Sequence, residues 1–265
     1  MPQVPATAEA KPRPPRGGFL LGWMIVILTL AGCASSPSRD DAPDVSATAW
    51  ANAVTGSGPA QQWKHQEFPG KRASAYQYVR LDGRDAVFVE SSSAVSMLRQ
   101  VLRVEPGDLG RLRFSWKVPA LIPGADMKDR DLEDSPVRVV LAFEGDRSKF
   151  SARDAMLSEL AHALTGEPLP YATLMYVWCN DTKAGTVLKG NRTNRIRKLV
   201  LESGGEHLNQ WREYERDIRA DFEKAYGEPP GALVSIGIMT DTDNTRSKVT
   251  AWYGPIWHVR VKDAP

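Results

Sequence analysis

The sequence predicts a mostly β chain with two helices, arranged as a jelly-roll-like β-sandwich. Apolar and polar residues alternate with a period of two through most of the chain after residue 62, which is typical of half-buried strands. At least nine such segments occur, against two segments with a helical period. A length of roughly 200 residues is common for a single sandwich domain.

The strands follow one another with short turns. Segments 76–81 and 86–90 flank an Asp-Gly turn and predict a hairpin. Two apolar runs, 137–143 and 173–178, are short enough to be central strands rather than helices. The remaining predicted strands span 96–104, 111–118, 196–201, 233–239 and 252–261.

Two segments carry helical signals. In 150–164, Ser151 can cap the first turn and Gly166 ends the run, so we expect a helix inserted between strands. In 208–226, apolar residues recur at three- and four-residue spacing and Gly227 follows. This second pattern predicts an amphipathic helix that covers the sheet with its charged face in solvent.

The N-terminus has the pattern of a bacterial lipoprotein leader. A basic segment precedes an apolar run at 19–30, and Leu-Ala-Gly-Cys closes the run at Cys33. This run is too short to span a bilayer comfortably. We therefore expect a signal peptide at 1–32, a lipidated Cys33 that begins a tether at 33–61, and a sandwich at 62–265. Ala34 rather than aspartate follows the cysteine, which favours the outer membrane and a domain that faces the periplasm.

Charge and cysteine content exclude several classes of protein. The chain has 34 basic and 32 acidic residues, and the leader holds three basic and one acidic, so the mature chain has 31 of each. A balanced chain has no global field that would attract nucleic acid. With Cys33 acylated, only Cys179 remains, so no intramolecular disulfide can form.

Two acidic loops supply oxygen ligands of the kind that Ca²⁺ prefers. Segment 126–134 precedes a predicted strand, and 241–245 follows another, which makes Asp134, Asp241 and Asp243 weak metal candidates. The second loop lacks the glycine and glutamate of an EF-hand. Turn chemistry, in which Asp and Asn bond the backbone two residues on, is the favoured alternative.

Several motifs that carry catalytic chemistry are absent from the sequence. The histidines do not follow zinc-site spacing, and no nucleophile elbow, phosphate loop or dinucleotide fingerprint occurs. No cofactor is expected beyond the Ca²⁺ considered above. Carboxylate pairs for glycoside hydrolysis meet only in the fold, so their spacing in sequence neither predicts nor excludes them.

Aromatic residues offer a second kind of site, because sugar rings stack on aromatic side chains while polar groups bond their hydroxyls. We expect Trp116 and Trp178, inside apolar alternation, to be core residues. Trp252 and Tyr253 follow the second acidic loop and are the preferred ligand contacts. The predicted ligand surface adds Asp241, Asp243 and Asn244, and it includes Asp134 and Arg138 if the two acidic loops meet in the fold.

Taken together, several motifs resemble the bacterial family of proteins of unknown function DUF3047. The most specific is Asp-Thr-Asp-Asn-Thr at 241–245, followed by Trp-Tyr-Gly at 252–254. The resemblance extends from about residue 62 to the C-terminus and implies a β-rich exported domain without an assigned mechanism. The other segments that carry it are 113–118, 133–139, 176–178, 216–221 and 226–230.

These observations favour a membrane-anchored module that binds a glycan without transforming it, and they leave catalysis undecided. One alternative is a glycan hydrolase that uses two carboxylates among Asp134, Asp217, Asp221, Asp241 and Asp243. Another is a scaffold lipoprotein that docks an unidentified protein partner through the predicted helix 208–226.

Overall fold

The computed structural model describes residues 63–261. The predicted leader, the lipidated Cys33 and the tether at 33–61 lie outside the described residues and remain predictions. Among residues 63–261, no helix is long and apolar enough to cross a membrane.

The described part of the chain forms thirteen strands and two α-helices. The helices are α1 (Ala152–Thr165) and α2 (Ile218–Tyr226). The strands are β1 (Lys64–Glu67), β2 (Ala75–Leu81), β3 (Arg84–Ser92), β4 (Val95–Val104), β5 (Arg111–Lys117), β6 (Ser135–Phe143), β7 (Ala172–Cys179), β8 (Val187–Lys189), β9 (Ile196–Ser203), β10 (Trp211–Asp217), β11 (Leu233–Asp241), β12 (Lys248–Tyr253) and β13 (Trp257–Val259).

The strands form two sheets. The seven-stranded sheet has the order β1-β4-β11-β6-β7-β9-β8, and the six-stranded sheet has the order β10-β5-β12-β3-β2, with β13 paired to β5. The chain passes repeatedly from one sheet to the other, for example from β3 to β4, from β4 to β5 and from β5 to β6. This alternation gives the sandwich its jelly-roll-like character and confirms the predicted fold class, including the two helices.

Aromatic side chains dominate the core between the sheets. Trp116 and Trp178 are fully buried there, as predicted, together with Tyr176. The ring of Phe114 stacks on that of Tyr176, with centroids 5.5 Å apart, and so joins β5 of one sheet to β7 of the other. Burial of such large apolar surfaces is the main favourable term in folding.

The middle of the seven-stranded sheet is buried on both faces. A second apolar cluster, which includes Val140 and Met175, covers its outer face beneath the loop that carries Met127. Every residue of β6 and of β7 is consequently buried. Two-sided burial explains why these strands have continuous apolar runs rather than alternation.

The first predicted helix forms as α1. The Ser151 hydroxyl accepts a hydrogen bond from the Asp154 amide, and Gly166 ends the helix with φ of 77°. Its apolar side faces solvent, however, while Asp154 and Ser158 are buried.

The second predicted helix, 208–226, is wrong in its first half. Residues 211–217 form strand β10, and only Ile218–Tyr226 are helical. Strand pairing overrides the helical spacing because Tyr214 faces the core beside Phe114, while the alternate residues Glu213 and Glu215 reach arginines across the sheet. Asp217 then caps α2 by accepting a hydrogen bond from the Ala220 amide at 2.9 Å.

Candidate functional site

Three of the predicted acidic residues converge at one end of the seven-stranded sheet. Asp134 directly precedes β6, Asp241 ends β11, and Asp243 follows two residues later. The pairing of β6 with β11 places Asp241 opposite Ser135, which brings the two acidic loops together. One carboxylate oxygen from each aspartate lies within 4.8 Å of the others. We call Asp134, Asp241 and Asp243 the carboxylate cluster.

Asp134 holds the loop that follows β11. Its Oδ1 accepts a hydrogen bond from the Asn244 amide at 3.2 Å. Its Oδ2 accepts two more, from the amide and the hydroxyl of Thr245 at 2.8 and 2.6 Å. The carboxylate is buried, so these donors satisfy a group that would otherwise be costly to bury. Asp134 therefore joins the two acidic loops. The turn chemistry expected for the first loop is made by Asp126 and Asp129, whose carboxylates accept from the amides of Lys128 and Asp131, two residues on.

Two cations contact the other members of the carboxylate cluster. The Arg138 guanidinium lies 2.9 Å from Asp241, and both side chains are less than a tenth exposed. The Lys71 ammonium donates a hydrogen bond to Asp243. All three carboxylates therefore have donors from the protein. A Ca²⁺ ion, which takes six to eight oxygens, would have to displace them, so the arrangement fits a metal poorly.

The carboxylate cluster instead favours a retained proton. Burial raises the pKa of Asp241 to about 8; Arg138 opposes the shift, and Asp243 and Asp134 reinforce it. Burial opposes ionisation of Asp243 too, but hydrogen bonds from Asp241 and Lys71 lower its pKa overall. The buried Oδ1 of Asp241 accepts no hydrogen bond from the protein. A proton on this oxygen can therefore donate a hydrogen bond to the Asp243 carboxylate. That proton also balances three carboxylates against two cations.

A second buried ion pair lies near the carboxylate cluster, and sequence reasoning missed it. The Lys198 ammonium contacts the Glu133 carboxylate at 2.6 Å, and the Asn191 amide donates to the same oxygen at 2.9 Å. Burial and the neighbouring Arg138 lower the pKa of Lys198. The one signal in the sequence was a lysine inside an apolar strand.

Tyr253 is a core residue, which corrects the expectation that it contacts a ligand. Its side chain is 1% exposed. The hydroxyl donates to the Met239 carbonyl at 2.7 Å and accepts from the Arg138 amide at 3.2 Å. Tyr253 therefore ties β12 to β6 and β11. Trp252 points to the opposite face of β12, where it packs on Phe88, and does not join the carboxylate cluster.

The two other candidate carboxylates lie elsewhere. Asp217 caps α2, as described above. Asp221 is buried, pairs with the Arg216 guanidinium at 2.8 Å, and accepts a hydrogen bond from the Tyr176 hydroxyl at 3.0 Å. Neither is part of the carboxylate cluster, so no predicted carboxylate pair includes Asp217 or Asp221 together with Asp241.

The outer face of the six-stranded sheet carries a row of aromatic side chains. Trp211 and Trp252 both pair with Lys117, from opposite sides, and Trp252 also pairs with Phe88. Directly paired residues share a face of a sheet, so the four side chains form one row across β10, β5, β12 and β3. The Arg84 guanidinium lies over the Trp211 ring, 5.1 Å from its centroid.

A second row lies four residues further along β5. Glu215, Arg113 and Trp257 pair side by side across β10, β5 and β13. At the rise of a strand, this places the second row about 13 Å from the first. Trp257 is 47% exposed. We call the two rows together the tryptophan face.

A groove of about 600 Å³ lies on this side of the sheet. Trp257 and Pro255 supply apolar walls, while Glu213 and Glu215 supply carboxylates, and Arg84 and Arg113 supply guanidinium groups. Arg84 pairs with Glu213 and Arg113 with Glu215, each at 2.6 Å. Exposed charged pairs of this kind contribute little to stability, so they remain available to bond a polar ligand.

Comparisons with known proteins identify the family. The family model described as "Protein of unknown function (DUF3047)" matches residues 61–257. The chain belongs to the DUF3047 family. The match covers both the carboxylate cluster and the tryptophan face of this DUF3047 domain. A comparison with curated proteins found no match.

Solved structures to which this chain is similar include a xyloglucanase domain and an endoglucanase. One is the xyloglucanase domain of NopAA, a type three effector from Sinorhizobium fredii, in complex with cellobiose: 9% identity, 75% of this chain, 92% of that chain and a TM-score of 0.41. The other is endoglucanase Cel12A from Rhodothermus marinus: 10% identity, 75% of this chain, 97% of that chain and a TM-score of 0.42.

Proposed function

We propose that this DUF3047 domain binds a glycan on the tryptophan face without transforming it. The observation that carries the proposal is the row formed by Trp211, Trp252 and Phe88 together with the exposed Trp257. Aromatic rings stack against the apolar faces of pyranose rings, and the polar edges of the sugar need hydrogen-bond partners.

Polar groups stand beside the rings in a suitable arrangement. Lys117 lies between Trp211 and Trp252, and its ammonium contacts Asp82 at 2.9 Å. The carboxylates of Glu213 and Glu215 can accept hydrogen bonds from the hydroxyl groups of a sugar, and the guanidinium groups of Arg84 and Arg113 can donate hydrogen bonds to its oxygens. The separation of the two rows gives an oligosaccharide, rather than a single sugar, contacts at both ends.

We further propose that the domain acts in the cell envelope. The leader pattern that ends at Cys33 supports a lipid anchor in the outer membrane, with the domain in the periplasm. Two or more acyl chains on one cysteine make such anchoring stable. Glycans of the cell envelope are then the ligands within reach.

A second candidate function is hydrolysis of a glycan, and one observation favours it. Asp241, with a pKa raised to about 8, stands beside Asp243, whose pKa is lowered. Carboxylates whose pKa values are driven apart are the usual acid and base of hydrolases. Against this, Asp241 is 6% exposed and the Arg138 guanidinium covers it, so a substrate has little access.

The first prediction tests the binding proposal with the full-length protein and a panel of peptidoglycan digests and bacterial polysaccharides. Retained ligand of unchanged mass is expected. In titrations with a retained glycan, Trp252→Ala, Trp211→Ala and Trp257→Ala should each weaken affinity roughly 2–10-fold, because each removes one stacking contact.

Val101→Ala is the control, because Val101 is an exposed apolar residue on β4, in the other sheet and outside the tryptophan face. Its affinity should equal that of the wild type. A shortened product in any digest would favour the hydrolase instead, and Asp241→Asn should then abolish it. Tryptophan variants that bind as well as the wild type would contradict the proposed surface.

A further inference from the structure

Helix α1 presents an apolar stripe to solvent. Met156, Leu160 and Leu164 follow one another at four-residue spacing and are 63%, 52% and 60% exposed. Residues at this spacing lie on one side of a helix. Single exposed apolar residues are ordinary, whereas three aligned large ones indicate a surface that contacts something apolar.

The opposite side of α1 is polar and is fixed to the domain. Asp154 is buried and accepts hydrogen bonds from the hydroxyls of Ser151 and Thr193. Ser158 is also buried and accepts a hydrogen bond from the Arg147 guanidinium at 2.9 Å. These contacts set the rotation of the helix, so the stripe cannot turn inward without breaking buried hydrogen bonds.

The chain enters the domain beside this stripe. A groove of about 600 Å³ is lined on one side by β1, from Lys64 onward, and on another by Leu164 and Thr165 at the end of α1. Everything N-terminal to β1, including Cys33, reaches the domain at this point. An anchor at Cys33, joined to the domain through the predicted tether at 33–61, would therefore keep this side of the domain within reach of the bilayer.

We propose that α1 rests on the membrane surface to which the protein is anchored, with Met156, Leu160 and Leu164 at the boundary between headgroups and acyl chains. The inference rests on the lipid anchor of the proposed function, because three side chains bind a bilayer weakly by themselves. The anchor supplies the high local concentration that makes a weak contact persistent.

Charge around the stripe is mixed, which indicates an apolar contact. Arg153 and Glu159 are both exposed on α1, and Lys64 and Glu67 are both exposed on β1. The polar side of a helix that binds mainly by charge is rich in Lys and Arg. Docking of α1 should therefore change little with salt concentration.

The second prediction tests this contact with the lipidated full-length protein in vesicles of phosphatidylethanolamine and phosphatidylglycerol. An environment-sensitive dye is attached at Leu160→Cys, and in a control at Ser92→Cys, an exposed position at the end of β3. Cys179 does not compete, because it is buried. The dye at position 160 should shift to the blue and be quenched by lipid-borne quenchers, while the dye at position 92 should not.

The outcomes separate the two proposals. Protein that sediments with vesicles but shows no shift at position 160 overturns the inference alone. Protein without acyl chains on Cys33, measured by mass, overturns both the anchor and the inference. A shift that grows with protein concentration in the absence of vesicles shows that a second copy covers the stripe, which also overturns the membrane contact.

A triple variant gives an independent test. Met156→Gln, Leu160→Gln and Leu164→Gln together change only exposed side chains, so the fold should persist. In the anchored wild type, vesicles should slow amide exchange in Ala152–Thr165 several-fold, and this protection should be lost in the variant. Equal protection in both proteins would overturn the inference.

Discussion

One residue of the carboxylate cluster, Asp241, makes the stability of the domain depend on pH. Asp241 keeps its proton in the folded protein up to a pKa of about 8, whereas an unfolded chain loses it near its ordinary value of 3.8. Between these values the folded state binds more protons than the unfolded state, so stability falls as pH rises. The stabilisation by this proton is complete below about pH 4 and is lost as pH rises through about 8.

The third prediction follows for Asp241→Asn. The amide keeps a donor for Asp243 and an acceptor for Arg138, but it does not titrate. From pH 5 to 8 the wild type should lose stability relative to the variant, by at most about 1.4 kcal/mol per pH unit. Denaturant unfolding at several pH values measures the difference between the two slopes.

Asp131→Asn is the control for this experiment, because Asp131 is an exposed aspartate in the loop before β6. Its slope should match that of the wild type. If Asp241→Asn also has the wild-type slope, then Asp241 does not retain a proton in this range, and the description of the carboxylate cluster is wrong.

The carboxylate cluster and the residues around it differ in how far the sequence could predict them. The acidic loops were visible, and their meeting was an explicit condition of the predicted surface. The contacts of Lys71 and Lys198 with carboxylates of these loops were not predicted, because each lysine is a single charge in a turn or strand that is distant in sequence from the acidic loops. Tyr253 was wrongly predicted to contact a ligand. Side chains alternate between the two faces of β12, so only one of the adjacent residues Trp252 and Tyr253 can face the core, and the sequence alone did not show which one.

At the scale of elements, patterns of burial were predictable and competition between structures was not. Continuous apolar runs correctly predicted β6 and β7 as central strands. Segment 211–217 was assigned to a helix because its apolar residues, Trp211 and Tyr214, are three residues apart, which fits a helical period. Pairing with β5 decided in favour of a strand, and such pairing is a long-range contact that local spacing does not contain.

The fourth prediction concerns the junction between β10 and α2. Asp217→Ala removes the carboxylate that accepts from the Ala220 amide, and loss of such a cap costs about 1 kcal/mol. For a domain of this size, thermal unfolding should shift down by about 2–4 °C.

Glu223→Ala removes a carboxylate from the same helix, where it makes an exposed i,i+4 pair with Arg219. This control should change stability by less than about 0.5 kcal/mol. Equal losses in the two variants would show that Asp217 has no particular role as a cap.

At the scale of the whole molecule, the buried thiol reports on global opening. Cys179 ends β7 and is 3% exposed, and burial raises its pKa to about 12. The fifth prediction is that a thiol reagent at pH 8 modifies the native protein only as fast as the sandwich opens. Rates measured with increasing denaturant should therefore follow the unfolding equilibrium.

Modification is followed by mass. In the proposed mature protein, acylation of Cys33 leaves Cys179 as the single target. Unfolded protein in denaturant is the positive control, and its thiol should react much faster than that of the native protein. Fast modification under native conditions would show that the end of β7 opens locally without unfolding of the sandwich.

The order of the strands also constrains when the domain can fold. β11 lies between β4 and β6 in one sheet, and β12 lies between β5 and β3 in the other. Both strands come from the last part of the chain, so neither sheet can close while that part is missing. A chain that crosses a membrane with its N-terminus first would thus remain unfolded, and able to pass through, until residues 233–253 have also crossed.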